Sequence, residues 1–481
     1  MRPVSKRERL YFLAIGGVAM GNVAVLAKQL GYEVSGCDRK LYPPIDQLLN
    51  TNGVSFLEEF SLEHLLNFAP SRIVVGNAVS RGNVVLEHIL ECERHRMISL
   101  PEFLSQDLVG ARKRIVISGT HGKTTTAAIA AFYMRQIGIC GGYFIGGIPK
   151  NLTSGVDLGD GSAPFIFEGD EYDCAFFDKR SKFIHYMPNT AVVNCIDFDH
   201  GDIFCDIGAV QRSFFHLLCL VPNSGHVIIN GDDPNIDAIF PISWATVHRV
   251  GWEKNNDFYL QNFFMNRDGS TWQVAHKKGS FCVQTCLHGR FNAMNATMAL
   301  LASHLTLNLP FPTDIDLRDY KGVCRRQEKL IDSNELLAIE DFGHHPREVR
   351  EVLTSLREQY PHGELIACFE PATNTSMYRM WENDYIKAFT VCDRCFWGKP
   401  KGAARIPAEK YLRIDLFMDA LSQRIVEARH FSENKLLLDY LLETLQKDSN
   451  GRRRVVVLFS SGAFHPVLPY WHEQSSRNRA I

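Results

Sequence analysis

The stretch Ile115-Val-Ile-Ser-Gly-Thr-His-Gly-Lys-Thr-Thr-Thr126 decides how the rest of this 481-residue chain is interpreted. A β-branched run enters a glycine turn, which delivers a lysine and three threonines to the start of an apolar-periodic segment. This order is typical of a phosphate-binding loop, in which backbone N–H groups and a helix N-terminus hold phosphate oxygens. The lysine adds positive charge, and a threonine hydroxyl can ligate Mg²⁺. The predicted phosphate-binding residues are Gly119, Thr120, His121, Gly122, Lys123, Thr124 and Thr125.

The loop is a short variant of the standard pattern. Only Thr120 and His121 separate Gly119 from Gly122, where the standard loop places four residues between its glycines. The shortness is therefore a clue to which nucleotide-using family the chain resembles.

Length and charge restrict the class of protein. A chain of 481 residues exceeds what one hydrophobic core usually supports, so two to four domains are expected. The net charge of −2 argues against a nucleic-acid or anionic-membrane partner, since such proteins usually carry a basic surplus. No run approaches ~20 uninterrupted apolar residues, so no membrane span is expected.

The thirteen cysteines indicate reduced thiols in a cytoplasmic protein. They are scattered, and many lie inside apolar runs rather than in a disulfide framework. The one CxxC pattern, Cys392–Cys395, has no second CxxC and no histidine pair nearby, so plain thiols are expected there.

The N-terminal segment predicts a strand, a glycine turn, a helix and a second strand, over Leu10–Ile15, Met20–Leu30 and Tyr32–Cys37. This order accounts for the whole segment and is favoured over a signal peptide. Its glycines do not match GxGxxG, which disfavours NAD and leaves a diphosphate or nucleotide-sugar site open. Asp38 either meets a ribose or is a solvated residue at a strand end.

Strands and helices alternate along the rest of the chain and predict an α/β fold with mainly parallel sheets. We expect three domains: a Rossmann-like domain over 1–110, a central P-loop-type ATPase domain over 111–311 and a Rossmann-like C-terminal domain over 312–481. The predicted strands beyond the first domain are Phe165–Phe167, Ala191–Ile196, His226–Asn230, Leu336–Glu340, Leu365–Phe369 and Arg454–Phe459. The predicted helices are Asn292–Leu305 and Pro346–Glu358, and Leu309–Pro312 is expected to be a linker.

Two acidic clusters follow predicted strands. The first, Phe167–Asp173, contains Glu168 and Glu171, and carboxylates at this distance from a phosphate loop suit Mg²⁺. The second, Asp197–Asp202, contains His200 and could bind a second Mg²⁺ or a phosphoryl group, although a lone histidine is more often structural. The first cluster could instead be a solvated acidic turn. The cations of Asp178–Phe183, between the clusters, either neutralise an anionic substrate or cover a surface, and composition slightly favours the surface.

Further candidate residues lie beyond position 290. Asn292 and Asn295 stand at i and i+3 on one helical face, where two carboxamides can read the edge of a base. Arg325 and Arg326 offer guanidinium groups for phosphate. The segment Glu340–Pro346 places acids and two histidines at a strand–helix junction, which indicates acid/base or phosphate chemistry, or a helix cap.

Together these motifs resemble the Mur ligase family, the ATP-dependent amide-forming enzymes of peptidoglycan synthesis. The segments that carry the resemblance are Gly119–Thr125, the acidic cluster after Phe167, His200, Asn292 with Asn295, Arg325 with Arg326, and Asp341–Pro346. Three more segments resemble the branch that joins UDP-N-acetylmuramate to the recycled tripeptide L-alanyl-γ-D-glutamyl-meso-diaminopimelate: Gly76–Asn83, Glu168–Phe183 and Phe369–Thr375. The rival branch joins UDP-N-acetylmuramate to L-alanine.

The resemblance implies ATP and Mg²⁺ as cofactors and an acyl-phosphate intermediate. It implies that Lys123 meets the β- and γ-phosphates, and that Thr124, Glu168 or Glu171, and His200 bind metal. The other implied ATP and catalytic residues are Asn292 and Asn295 at adenine, and Arg326, Asp341 and His345 from the closing domain. The expected UDP-sugar residues of the first domain are Gly16, Gly17, Met20, Asp38 and Asn77.

Two residues depart from the pattern that is usual in the family. Phe291 stands where the family often has histidine, and Ala372 where the tripeptide branch usually has arginine.

Two other classes of protein explain the motifs less well. An NTP-hydrolysing switch would leave Asp341 and His345 unexplained, and a dinucleotide-dependent oxidoreductase would need the glycine fingerprint that this chain lacks. We expect a cytoplasmic enzyme acting on small molecules, and the sequence does not determine its oligomeric state.

Overall fold

The computed structural model describes residues 8–42, 45–199, 201, 203–401, 406–449 and 451–479. The chain forms two compact units. The first consists of Met1–Ile196, Gly208–Tyr259 and Ala296–Phe311, and the second of Asp197–Ile207, Leu260–Asn295 and Pro312–Ile481.

The first unit begins with a five-stranded parallel sheet in the order β3-β2-β1-β4-β5. Its strands are β1 (Arg9–Leu13), β2 (Glu33–Cys37), β3 (Ser55–Leu57), β4 (Arg72–Val75) and β5 (Met97–Ser99), and its helices are α1 (Val18–Gln29), α2 (Ile45–Thr51), α3 (Leu62–Phe68), α4 (Val84–His88) and α5 (Leu100–Phe103). Leu10, Phe12 and Val74 are fully buried, as expected for parallel strands that are covered on both faces. The predicted opening of strand, glycine turn, helix and strand is confirmed.

The first unit continues with a sheet of order β14-β13-β12-β6-β9-β7-β8, parallel except for β8 against β7. The strands of this region are β6 (Arg114–Ser118), β7 (Gly142–Phe144), β8 (Val156–Asp157), β9 (Phe165–Glu168), β10 (Asp173–Ala175), β11 (Asp178–Ser181), β12 (Thr190–Val193), β13 (His226–Asn230) and β14 (Thr246–Gly251), and the helices are α6 (Lys123–Gln136), α7 (Ile207–Leu218) and α8 (Pro234–Asp237). Strands β10 and β11 form a separate antiparallel hairpin.

The division between the units passes through strand β15 (Phe258–Asn266) and helix α9 (Arg290–Leu307). In the second unit, β16 (Gly269–His276) pairs antiparallel with β17 (Gly279–Thr285). Strand β17 in turn pairs in parallel with β18 (Asp314–Leu317). Strands β15, β16 and β17 were not predicted from the sequence.

The second unit also contains a six-stranded sheet of order β19-β20-β24-β21-β22-β23, in which only β19 is antiparallel to its neighbour. Its strands are β19 (Glu328–Asp332), β20 (Leu336–Asp341), β21 (Glu364–Phe369), β22 (Arg394–Trp397), β23 (Glu427–His430) and β24 (Arg454–Phe459), and its helices are α10 (Pro346–Gln359), α11 (Glu382–Phe389), α12 (Ile414–Ser422), α13 (Asn434–Gln446) and α14 (Val467–Arg479). Helices α10, α11 and α12 share one core with the sheet, and α13 and α14 share another. The predicted α/β class with mainly parallel sheets is therefore confirmed.

Two further predictions have simple outcomes. All thirteen cysteines are free thiols, and Cys392 and Cys395 are both buried, as expected for plain thiols. Among the residues that the structure describes, no helix is both long and apolar enough to cross a membrane.

Candidate active site

The phosphate loop lies where β6 ends and α6 begins. Gly119 and Gly122 adopt positive φ angles of +131° and +82°, a region that favours glycine. A Cβ on Gly119 would come within 2.9 Å of the backbone nitrogen of Asn194. The N–H of Thr120 donates to the carbonyl of Cys195 over 2.9 Å. The loop is therefore held against the chain that leaves the neighbouring strand β12.

The other loop residues differ in exposure. His121 and Thr124 are buried, whereas Thr125 is half-buried on the first turn of α6. The N–H of His121 donates to the Cys195 sulfur over 3.3 Å. The predicted loop residues thus form one continuous turn around the start of the helix.

Lys123 makes a buried ion pair with Glu171. Its Nζ lies 2.9 Å from Oε2 of Glu171 and donates to the carbonyl of Gly119 over 2.7 Å. Burial alone would lower the pKa of Lys123, but the carboxylates of Glu171, Asp170 and Glu168 raise it above its ordinary value. The lysine is therefore held as a cation at the loop.

Thr124 and Glu168 form the second pair of the loop. The Thr124 hydroxyl donates to Oε1 of Glu168 over 2.6 Å, and the N–H of Gly146 donates to Oε2 over 2.6 Å. Hydroxyl and carboxylate oxygens are the hard ligands that Mg²⁺ prefers. These two residues fit a magnesium site, while Glu171 contacts the lysine.

The cations of Asp178–Phe183 neutralise nearby acids. Lys182 lies 2.5 Å from Asp170, and Asp178 accepts from Arg180 and from His185. Burial would raise the pKa of Asp170, but Lys182 and Lys123 lower it below its usual value. Arg180, followed by His185, likewise lowers the pKa of Asp178.

Asn77, in the loop after β4, contacts the β10–β11 hairpin. Its side-chain amide donates to Asp173 over 2.9 Å, and Asp173 also lies 2.5 Å from Lys179. The sequence placed Asn77 at the UDP-sugar site, and the structure connects that loop to the acidic cluster after β9.

Asp38 supports the glycine turn after β1. One carboxylate oxygen accepts from the N–H of Gly16 over 2.8 Å, and the other accepts from the backbone N–H of Arg39 over 2.7 Å. A Cβ on Gly16 would lie 2.8 Å from the same carboxylate. Gly17 precedes the first residue of α1, and Met20 is buried on that helix. Asp38 therefore has a local structural role that neither sequence alternative included, and its contact with ribose stays a prediction.

In the second unit, Asn292 and Asn295 lie together at the start of α9, as their spacing predicts. The Asn295 amide donates to Oδ1 of Asn292 over 3.4 Å. The Asn292 amide donates to the His288 carbonyl over 2.8 Å and to Gln327 over 3.0 Å. Both asparagines are buried, and their contact with adenine stays a prediction.

The adjacent arginines have different surroundings. Arg325 pairs with the fully buried Glu340 at 2.6 Å and donates to two carbonyls in the loop after β24. Arg326 lies over the ring of Phe342 and 3.7 Å from Glu348. Arg325 therefore ties two strand ends together, whereas Arg326 is held more loosely and remains the better candidate for phosphate.

Asp341 ends β20 and is turned into the protein. It accepts from the N–H groups of Gly343 and Gln327 over 2.7 and 2.9 Å. Burial raises the pKa of Asp341 to about 6, although the Arg326 charge and these two N–H groups oppose the rise. The Asp341 carboxyl group therefore gains or loses its proton near pH 6.

His345 caps helix α10. Its Nδ1 accepts from the N–H of Arg347 over 3.3 Å, and Glu348 accepts from the N–H of His345, which completes a capping box. The cap was one of the two sequence alternatives, and a catalytic role for His345 stays a prediction.

Asp197 and Asp199, two described residues of the second acidic cluster, contact the C-terminal part of the second unit. Asp197 pairs with Arg347 at 2.9 Å, and Asp199 accepts from the Thr375 hydroxyl over 2.5 Å. His200, predicted to bind metal, lies outside the described residues.

Two ion-pairing residues of the second unit were not predicted from the sequence: Arg347, which pairs with Asp197, and Glu370, whose Oε1 lies 2.5 Å from Nζ of Lys401. Arg347 gave no signal, because a lone arginine in an amphipathic helix is ordinary. Glu370 did carry a signal, since it begins a polar segment directly after the buried strand β21. Ligand-binding residues of α/β sheets often lie at such strand ends.

The chain matches known proteins over most of its length. Residues 9–108 match the family described as "Mur ligase family, catalytic domain", and residues 117–303 match "Mur ligase middle domain". The UDP-N-acetylmuramate–L-alanyl-γ-D-glutamyl-meso-2,6-diaminoheptandioate ligase of Haemophilus influenzae is 36% identical over 82% of this chain and 86% of its own. The ligase of the same name from Escherichia coli is 33% identical over 95% of this chain and 96% of its own.

A solved structure agrees with these relatives. The crystal structure of a murein peptide ligase from Psychrobacter arcticus matches 97% of this chain and 99% of its own, with a TM-score of 0.67 and 28% identity. The fold and the nucleotide loop define an α/β ligase with three domains, and this chain belongs to the Mur ligase family. It is an ATP-dependent ligase of the Mur type, and within the family it is similar to the murein peptide ligases.

Proposed function

We propose that this enzyme joins UDP-N-acetylmuramate to L-alanyl-γ-D-glutamyl-meso-diaminopimelate. The γ-phosphoryl group of ATP passes to the muramate carboxylate and ADP leaves. The alanyl amine of the tripeptide then attacks the acyl carbon, and inorganic phosphate leaves as the amide forms and the amine loses a proton. The relatives that share a third or more of the residues carry the name of this reaction.

The observation that carries the proposal is that two neighbouring side chains of the loop contact two different carboxylates. Lys123 contacts Glu171, and Thr124 contacts Glu168. Phosphoryl transfer needs positioning and charge neutralisation more than covalent chemistry. Lys123, whose side chain is 14% exposed, supplies positive charge, and the oxygens of Thr124 and Glu168 beside it fit a magnesium ion that would position the phosphates.

The oxygens of Thr124 and Glu168 would hold Mg²⁺. The bound ion supplies positive charge against the phosphate oxygens. This choice leaves Glu171 to orient Lys123, whose ammonium group exchanges the carbonyls of the loop for the β- and γ-phosphates when ATP binds. His200, which the resemblance also implies as a ligand, completes the proposed metal set.

The remaining predicted residues belong to the same proposal. The turn at Gly16 and Gly17, with Met20, Asp38 and Asn77, holds the UDP sugar. A second set acts on ATP: Asn292 and Asn295 read adenine, while Arg326, Asp341 and His345 act on the phosphates and the reacting groups. ATP and a UDP sugar are cytoplasmic metabolites, so the enzyme is proposed to act in the cytoplasm, in recycling of peptidoglycan.

Phosphate release tests the proposal directly. Purified protein is supplied with ATP, Mg²⁺ and UDP-N-acetylmuramate, together with either the tripeptide or L-alanine. We expect turnover with the tripeptide and at most a trace with L-alanine. Turnover with L-alanine alone would assign the enzyme to the rival branch, and ATP hydrolysis that does not require the sugar nucleotide would indicate an NTP-hydrolysing switch.

A further inference from the structure

Three loops of the C-terminal sheet begin at the same edge of that sheet. Strands β24, β21 and β22 are adjacent and parallel, so the residues that follow them emerge at the same edge. These residues are Ser460–Phe464 after β24, Glu370–Ala372 after β21 and Gly398–Lys401 after β22. In open α/β sheets this edge is where ligands bind.

A buried carboxylate lies at the centre of these loops. The side chain of Glu370 is fully buried. Its Oε2 accepts from the Ser460 hydroxyl over 2.5 Å and from the N–H of Phe464 over 3.0 Å. Its Oε1 lies 2.5 Å from Nζ of Lys401. Oε2 is thus hydrogen-bonded by the loop after β24, whereas Oε1 forms an ion pair with the lysine.

Lys401 connects this carboxylate with solvent. Its side chain is 45% exposed, and its backbone N–H donates to the Pro371 carbonyl over 3.0 Å. An ammonium group carries three N–H donors, and its close approach to Oε1 is an ion pair rather than a hydrogen bond. These donors can meet an anion that arrives at this edge of the sheet.

Gly462 borders the ion pair closely. A Cβ on Gly462 would be 3.3 Å from Nζ of Lys401 and 3.4 Å from Cβ of Ala372. The same added atom would lie 2.9 Å from Oε2 of Glu370. A larger residue at position 462 would therefore crowd the pair formed by Glu370 and Lys401.

We propose that Lys401 binds a carboxylate of the peptide substrate and that Glu370 fixes its ammonium group in place. This inference rests on the proposed function, because the tripeptide carries carboxylates on its second and third residues that L-alanine lacks. A charge-assisted hydrogen bond to one of them favours the tripeptide over the free amino acid. Lys401 is thus a specificity-determining residue for the amino substrate.

The first test compares Lys401→Gln with Lys399→Gln. Lys399 lies two residues earlier and pairs with the exposed Glu433, so its substitution removes the same charge from the same loop. We expect the KM for the tripeptide to rise about tenfold or more in Lys401→Gln and to stay within about twofold in Lys399→Gln. The KM values for ATP and UDP-N-acetylmuramate should not change. An unchanged tripeptide KM in Lys401→Gln overturns the inference.

The second test separates binding from a structural role. Peptides in which the side-chain or terminal carboxylates are replaced by amides are compared in wild type and Lys401→Gln. If Lys401 binds one carboxylate, the matching amide raises the wild-type KM but adds nothing in the variant. If Lys401 only neutralises Glu370, every peptide is weakened equally, and the double variant Glu370→Gln/Lys401→Gln recovers full peptide affinity; either result overturns the inference.

The same measurements distinguish a failure of the proposed function from a failure of the role proposed for Lys401. If wild type shows no turnover with the tripeptide, the proposed function fails. If wild type uses the tripeptide and the Lys401 variants behave as wild type, only the role of Lys401 fails. Lys401→Arg should retain most of the peptide affinity, because it keeps the positive charge.

Discussion

The hydroxyl oxygen of Thr124 lies 2.6 Å from Oε1 of Glu168, although 44 residues separate them in the chain. Thr124 stands on the first turn of α6, and Glu168 ends β9, the strand beside β6 in the sheet. The preceding residue, Lys123, contacts a different acid, Glu171. Parallel pairing of β6 with β9 therefore brings the ends of both strands together and assigns one acid to each loop residue.

Substitution of Glu168 by Gln should weaken the response to magnesium. The Mg²⁺ concentration for half-maximal turnover is expected to rise at least about tenfold, since loss even of an outer-shell partner commonly has an effect of this size. Thr124→Ala should act in the same direction, and Thr124→Ser should resemble wild type because it keeps the hydroxyl group. A larger magnesium effect in Glu171→Gln than in Glu168→Gln would contradict this assignment.

Substitution of Lys123 by Ala should abolish turnover and also lower stability. The change leaves Glu171, which is 2% exposed, without its lysine, and breaking a buried ion pair in this way costs about 3 kcal/mol. Thermal unfolding of Lys123→Ala and of Lys123→Ala/Glu171→Gln measures the effect. The double variant should regain thermal stability and remain inactive. Turnover near the wild-type rate in either variant would show that the loop has been misinterpreted.

Asp341 should make stability depend on pH. Its pKa is raised by burial from 3.8 to about 6, so the folded state binds a proton more tightly than the unfolded state. Its contribution is present at low pH and is lost as the pH rises through 6. Between pH 5 and pH 7, wild type should lose about 1 kcal/mol relative to Asp341→Asn. Equal pH profiles of thermal unfolding for the two proteins would refute an elevated pKa.

The two adjacent arginines should give opposite phenotypes. Arg325→Ala removes a partner of the buried Glu340 and the contacts with the loop after β24, so its thermal midpoint should fall. Arg326→Ala should keep the thermal midpoint and lower kcat at least about tenfold, because a charge-assisted contact with phosphate is lost. Circular dichroism melts and steady-state kinetics on both variants measure the contrast. A lower thermal midpoint in Arg326→Ala together with a lower kcat in Arg325→Ala would instead assign the phosphate contact to Arg325 and the structural role to Arg326.

Buried parallel strands were the most predictable part of the fold. His226–Asn230 and Arg454–Phe459 have the predicted bounds, because each is a short apolar run covered on both faces. Strand β15 was missed because its exposed positions alternate with buried ones and include apolar residues such as Phe264. Strand β11 was missed because Asp178–Ser181 is so polar that it resembles a loop.

The predicted site residues were recovered unevenly. The loop from Gly119 to Thr125 is local, so its conformation follows from glycine positions that are visible in the sequence. The partner of each carboxylate is not local, because it depends on which strands lie side by side. The sequence left Glu168 and Glu171 as equal candidates for metal, and the order of β6 and β9 distinguishes their contacts.

The sequence by itself determined the α/β class, the nucleotide loop and the family, because glycine turns and buried strands leave patterns that local chemistry dictates. Only the tertiary structure decided that Asp38 supports a glycine turn, that His345 caps a helix and that Lys401 meets Glu370. Glu370 and Lys401 are joined because two neighbouring parallel strands end at the same edge. Such a meeting depends on strand order, which no short stretch of sequence contains.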